Sequence, residues 1–359
     1  MKVKGKLIIG IFLFVVCIII HIYSNSEIRV ETGYSSNFFV SFSKFLRYSF
    51  GSLQISIGDI LYGFVAGWLI WKLVKGVIFL FRKNKEKIFW INKLSNFVIL
   101  FCIIYIVFNI FWGINYNRKG IAWQLALSIK PYTTLELKEI NSLLVDKINT
   151  SKKVLLQKQV GYPSNKQLFA MVGDAYKKIS VQYPFLQYQP AALKSSMWGW
   201  IGNYTGFTGY YNPFTGEAQV NTTVPKFSQP FTACHEVAHQ LGYAKEMEAN
   251  FVGYLAAASS SDTLFHYSVY LDLFSYANRN LYFIDSSAAK LYSKQLTPEV
   301  ITDIKEWIAF SRKHQNPVEP LIRWLYGKYL QGNMQPQGIY SYDEVTGFII
   351  AYYKKFGKI

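Results

Sequence analysis

Three long apolar runs open the chain, and beyond them the runs shorten into stretches with the three-to-four-residue spacing of amphipathic helices. A helix needs roughly 20 apolar residues to cross a bilayer, and the runs at 7–23, 53–81 and 94–114 reach or approach that length. The first, LIIGIFLFVVCIIIHIY, follows Lys2, Lys4 and Lys6 and lacks a clear small-residue cleavage site after it, which predicts a retained anchor rather than a removed signal peptide. The second carries Asp59, Lys72 and Lys75, and lysines near one end can snorkel to the headgroups. The third is uninterrupted. These runs predict a transmembrane region over residues 1–114, with 24–52 as the loop between the first two spans.

Residues 115–359 read as one soluble domain without internal repeats. Apolar spacing predicts helices near 134–149, 164–181, 230–242, 245–260, 262–280, 297–313 and 318–331. Between 194 and 230 the texture changes to glycine, aromatics and turn residues, which predicts short strands. The expected fold class is therefore mainly α: three N-terminal transmembrane helices, then an α+β domain with a small β region before the helix at 230–242.

Charge sharpens the membrane reading. Thirty-eight lysines and arginines oppose 21 acidic residues, a formal net charge of +17, but the basic residues are spread along the chain and cluster mainly beside apolar runs. The most basic flanks, MKVKGK and RKNKEKIFWINK (Arg82, Lys83, Lys85, Lys87 and Lys93 against Glu86), predict that the N-terminus and the second loop are cytoplasmic and that the C-terminal domain lies outside the cytoplasmic membrane. No nucleotide-binding glycine loop and no nucleic-acid module is evident, so neither partner is expected. Cys17 and Cys102 sit in apolar runs and Cys234 stands alone in the domain, so no disulfide framework is possible there; Cys234 reads as a small buried helix residue. Most of the 27 tyrosines and 9 tryptophans read as packing or bilayer-edge residues.

Chemistry concentrates in CHEVAHQLGYAKEMEANF. His235 and His239 are four apart, so on a helix their rings leave one face and can share a metal ion. Glu236, beside that face, is placed as the general base of a zinc hydrolase. A catalytic zinc needs a third protein ligand and keeps one position open. Gly242, three residues after His239, can adopt positive φ and turn the chain back toward the metal, bringing up Glu246 on the next helix. Asn250 shares the face of Glu246, whereas Glu248 is rotated by about 200° from it, so both glutamates cannot point inward. Glu248 is the alternative third ligand. GEAQVN at 216–221 is a candidate edge strand beside the site or an ordinary hairpin strand, and His266, His314 and Tyr326 are candidate oxyanion donors.

HEVAH followed by a helix carrying Glu-x-x-Ala-Asn resembles the glutamate-zincin metallopeptidases. That resemblance implies one zinc ion on His235, His239 and Glu246, Glu236 as base, and Asn250 where the family often has an aspartate orienting a ligating histidine. The gap before Glu246 is shorter than in most of that group. Gly242 resembles the metzincin pattern HExxHxxGxxH, but its third histidine position is Lys245 here. Together with the three N-terminal spans, WGINYNRKG and GYYNPFTGEAQVN, the motif resembles an uncharacterised family of bacterial membrane proteins with a zinc-peptidase-like domain. The implied function is a membrane-anchored zinc metallopeptidase acting on a peptide or protein substrate. A non-catalytic zinc-containing envelope binding or scaffold protein, or a zinc amidase acting on cell-wall peptides, is the alternative. Because the motif lies far beyond the last span in sequence and has polar flanks, the expected substrate is soluble or surface-bound.

Overall fold

The computed structural model describes residues 3–80, 87–158 and 161–359. Among the described residues, three helices are long and apolar enough to cross a membrane: Gly5–Ser24, Ile57–Phe79 and Trp90–Phe111. Most of their apolar side chains, Phe12, Leu69 and Phe101 among them, have no protein cover. The first and third pack along each other, with Lys6 Nζ donating to Asn92 Oδ1 at 3.0 Å. Phe81, Lys2, Arg82, Lys83, Lys85 and Glu86, on which the end of the second span and the orientation partly rest, lie outside the described residues.

The second apolar helix begins at Ile57, four residues later than hydropathy suggests, because its start is built from polar groups. Ser56 Oγ accepts from Asp59 N at 3.1 Å, and the Glu217 carboxylate accepts from Ile57 N at 3.3 Å and Gly58 N at 2.6 Å. These bonds satisfy free N–H groups of the first turn and place negative charge at the positive end of the helix dipole. Asp59, the residue least suited to a bilayer, is fully buried: it accepts from Met197 N at 2.7 Å and from the Tyr210 hydroxyl. The helix is thus fastened to the C-terminal domain.

The third apolar helix ends at Phe111, so Trp112 to Ile114, expected in the span, leave it. Trp112 and Ile114 join Val30, Tyr34, Phe39, Tyr116 and Ala244 in a small apolar core beneath the domain. Residues 24–52, expected as a loop, are likewise helical: a π-helical stretch Val30–Phe38 runs into the helix Phe39–Gly51. Hydropathy could not separate residues that face lipid from residues that face this second core.

The C-terminal part is mainly helical. Leu137, Ile140, Leu144 and Ile148, on one face of Thr134–Lys158, pack against Thr263–Ile284. The predicted helices form close to their expected bounds, with Thr134–Lys158 longer and with Ser286–Lys294 and Val345–Phe356 unforeseen. Three short strands, β1 (Leu193–Ser195), β2 (Gly209–Asn212) and β3 (Glu217–Val220), form a sheet in the order β1-β3-β2, β1 parallel and β2 antiparallel to β3. Of the two readings of 216–221 the hairpin strand is the one found: β3 pairs antiparallel with β2 and is central, with β1 and β2 at the edges. The three-residue β1, with two polar residues, carries too little alternation to be read from sequence.

Candidate metal centre

The helix Gln229–Gln240 is buried along nearly its whole length, with Pro230 in its first turn, where a missing N–H costs nothing. Its far end closes as a Schellman motif. Gly242 N donates to His239 O at 2.9 Å and Tyr243 N to Ala238 O at 3.2 Å, with Gly242 at φ +89°. A Cβ on Gly242 would also lie 3.0 Å from the Phe39 ring. Two arginines from the juxtamembrane region cover the carbonyls of this end: Arg47 donates to Gln240 O at 3.0 Å and Arg118 to Gly242 O at 3.2 Å. Cations are favoured at this pole of a helix.

After the turn, Glu246–Ser259 runs back along the first helix. Gln335 Oε1 accepts from Glu246 N at 2.8 Å and serves as an outside cap. Glu246, Asn250 and Gly253 are spaced four and three apart and form the face turned to the histidines. Glu248 points the other way. It is buried against Gly120 near Arg118, and burial, opposed by Lys245 and Arg118, pushes its carboxyl up to about 7. The alternative in which Glu248 is the third ligand is therefore not the arrangement found.

The ligand atoms of His235, His239 and Glu246 lie within 4.8 Å of one another, and all three residues are buried. Glu246 Oε2 is 3.2 Å from His235 Nε2 and 3.5 Å from His239 Nε2. Both rings are held from behind, His235 Nδ1 by Asn250 Oδ1 at 2.7 Å and His239 Nδ1 by Tyr243 O at 2.7 Å. Each of these partners is an acceptor, so each Nδ1 carries the hydrogen and each Nε2 turns its lone pair to the shared point.

Electrostatics make this a place for a cation. Burial opposes ionisation of Glu246, but the imidazoles of His239 and His235 outweigh it and hold the carboxyl well below the usual carboxylate range. Burial also opposes charge on His239, and Glu246 overrides it, raising His239 to about 9. Apart from the two imidazoles, Glu246 Oε2 is buried without a hydrogen-bond donor. Two nitrogen lone pairs and an anionic oxygen this close repel unless a positive charge lies among them, supplied by a proton or by a metal that displaces it. The residues fit a metal ion.

Glu236 stands apart from that triangle. Burial pushes its carboxyl up to about 7 against the pull of His235 and His239, and its Oε2 has no partner. A Cβ on Gly209 of β2 would sit 2.5 Å from Glu236 Oε1, so only glycine lets the edge strand pass so close. Two cavities of about 280 and 230 Å³ meet here, both bordered by His235, Glu236, Gly209, Tyr326 and Tyr342. They form two arms of one cleft.

Of the proposed oxyanion donors, Tyr326 reaches the cluster, donating to Glu246 Oε1 at 2.7 Å. His266 and His314 instead bond main-chain oxygens, of Ser260 at 2.9 Å and Phe310 at 2.8 Å, and line neither arm. Tyr342, which sequence reasoning missed, lies 3.3 Å from the Tyr326 hydroxyl and stacks its ring on His235 at 6.2 Å. Nothing marks it among 27 tyrosines. Burial, with Glu246 nearby, keeps both phenols well above their ordinary value, so both are protonated donors. Cys234 is fully buried and its carbonyl accepts from Tyr176 at 2.7 Å.

A family model described as a protein of unknown function (DUF3810) matches residues 34–350. The chain belongs to the DUF3810 family. No curated protein and no solved structure matches it. In this DUF3810 member the match takes in the whole cluster and both later apolar helices, and it begins at Tyr34, beyond the first.

Proposed function

We propose that this protein is a membrane-anchored, zinc-dependent metallopeptidase that hydrolyses peptide bonds outside the cytoplasmic membrane. The observation that carries the reading is the convergence of His235, His239 and Glu246 beside an unengaged carboxylate, Glu236, on the wall common to both arms of the cleft. Two imidazoles and one carboxylate make a donor set suited to zinc with a position left open. When bound, zinc supplies Lewis acidity, polarising a carbonyl and making a neighbouring water a stronger acid.

Glu236 takes a proton from the attacking water and returns it to the leaving nitrogen as the C–N bond breaks. The water oxygen ends on the new carboxyl group and the proton on the new amine. Tyr326 keeps its hydroxyl hydrogen on Glu246 Oε1, and Tyr342 beside it is the donor for the carbonyl oxygen as negative charge develops on it. Asn250 and the Tyr243 carbonyl keep both imidazoles in one tautomer. The outer edge of β2, beside Glu236, suits an extended peptide adding by main-chain hydrogen bonds. The basic N-terminal flank supports a cytoplasmic N-terminus and hence a domain on the opposite side.

The test uses the full chain in detergent, assayed for bound metal and for hydrolysis of a peptide library. Glu236→Gln should keep the metal and lose turnover, whereas His239→Ala should lose both. Undiminished hydrolysis by Glu236→Gln would remove the mechanism.

A further inference from the structure

The two arms of the cleft differ in what surrounds them. The larger arm runs into the domain past Thr232, Asp272, Tyr276 and Arg323 as well as Phe231, Trp307 and Ile322, a mixed lining. The smaller is bordered by Tyr62, Phe108, Trp112, Pro213, Phe214 and Tyr329. Tyr62 and Phe108 belong to two different apolar helices. Tyr62 is five residues inside the domain end of Ile57–Phe79, and Phe108 is three residues inside that of Trp90–Phe111. At 1.5 Å per residue this puts them about 7.5 and 4.5 Å along the apolar helices from their domain ends. The metal cluster is just above: the Trp112 ring is 5.9 Å from that of His239. Although His239 follows the third apolar helix by more than 100 residues in the sequence, in space it is one side chain from the end of that helix.

The helix faces that continue from this arm into the bilayer carry no protein. Counting back from Phe108 at helical spacing, Ile104, Phe101 and Phe97 are exposed; counting on from Tyr62, so are Leu69 and Leu73. A Cβ on Gly67 or Gly76 of the same helix would meet nothing within 4 Å, whereas the first and third apolar helices pack together. The arm is thus continuous with two open apolar faces below and with the hydrolytic groups above.

We propose that the aromatic arm holds the juxtamembrane end of a polypeptide anchored in the bilayer by its own apolar helix, so that the bond presented to Glu236 lies within a few residues of the membrane surface. The size of the arm suits this occupant: its roughly 230 Å³ is on the scale of one or two side chains. Its rings match the chain segment that enters it, since aromatic residues suit the interface where apolar and polar surroundings meet. The larger, mixed arm then takes the part of the substrate that lies in water. This inference rests on the peptidase reading for what happens to the bound chain, but not for where the chain binds.

The experiment uses the full-length Glu236→Gln protein in lipid nanodiscs of phosphatidylethanolamine and phosphatidylglycerol. The probe is a synthetic peptide with a 20-residue leucine-alanine helix, a ten-residue hydrophilic tail and a photoreactive leucine at the junction; the tail alone is the control. Adducts should map to the Tyr62, Phe108 and Phe214 region, exceed those of the free tail by roughly tenfold, and drop when Phe108→Trp narrows the arm. Phe214→Trp provides a second narrowing variant should Phe108→Trp fold poorly. Adducts spread along Leu69 and Phe97 with none in the arm, or equal labelling by the free tail, would overturn the inference. Hydrolysis of the anchored peptide by the unmutated protein is scored separately. Arm adducts without hydrolysis refute the peptidase and leave the anchored-chain inference standing; hydrolysis of the free tail at an equal rate, without arm adducts, does the reverse.

Discussion

Gly253 lies directly against the backbone of His235: a Cβ there would be 3.0 Å from His235 N and 3.1 Å from His235 Cα. The absence of one carbon lets the second helix approach until Glu246, two turns earlier on the same face, reaches both imidazoles.

Gly253→Ala should push the helices apart by a few tenths of an ångström and separate Glu246 from the histidines. Metal affinity should fall by about tenfold, with a larger loss for Gly253→Val, read by competitive metal titration of the purified protein. Unchanged affinity in both variants would mean that the helix spacing does not set the ligand geometry.

Asn250→Ala removes the acceptor that holds His235 Nδ1 at 2.7 Å. The ring is then free to rotate or change tautomer, and metal affinity should drop 10- to 100-fold. Asn250→Asp restores an acceptor and should recover most of it. Tyr326→Phe removes the 2.7 Å bond to Glu246 Oε1 and should weaken metal binding by about tenfold, the worth of one hydrogen bond to a charged group.

As the base proposed above, Glu236 would act only when ionised, and burial pushes its carboxyl up to about 7. The base form is present above that value and disappears as pH falls through it. The logarithm of kcat/KM should therefore lose about one unit per pH unit on the acid side of the transition. A rate independent of pH from 5 to 8 would exclude Glu236 as the group limiting turnover.

Arg118 and Glu31 form a two-point ion pair, Nε to Oε2 at 3.0 Å and Nη2 to Oε1 at 2.7 Å, buried beneath the site. Burial opposes ionisation of Glu31, but Arg118, the Gly120 N–H and Ser36 outweigh it and hold the carboxyl below its ordinary 4.5. The folded value is depressed, so this stabilisation is present above 4.5 and is lost as pH falls through the lower folded value. Thermal unfolding in detergent should show that loss, and Glu31→Gln at neutral pH should cost about 3–5 kcal/mol by leaving Arg118 buried without its partner.

Much of the site is legible in the order of residues alone. The four-residue step between the histidines, the glycine three residues on, and the incompatible directions of Glu246 and Glu248 are consequences of helix geometry, and they appear as expected. What the order of residues leaves open or hides is of another kind. GEAQVN reads as a strand, but whether a strand is central or at an edge depends on β1, a three-residue piece with no pattern of its own. Tyr342 and Gln335 reach the cluster from positions about 90 residues later in the chain, with nothing local to mark them.

Taken alone, the sequence determined three apolar helices, a helical domain and a metal-ligand pattern, because hydropathy and helical periodicity are properties of neighbouring residues. Only the tertiary structure decided that Asp59 is fastened to the sheet, that residues 24–52 form part of the support beneath the histidine helix, and that the cluster lies at the edge of the apolar helices. Those relations depend on which surfaces exclude water from one another across long stretches of chain, and no local pattern carries that information.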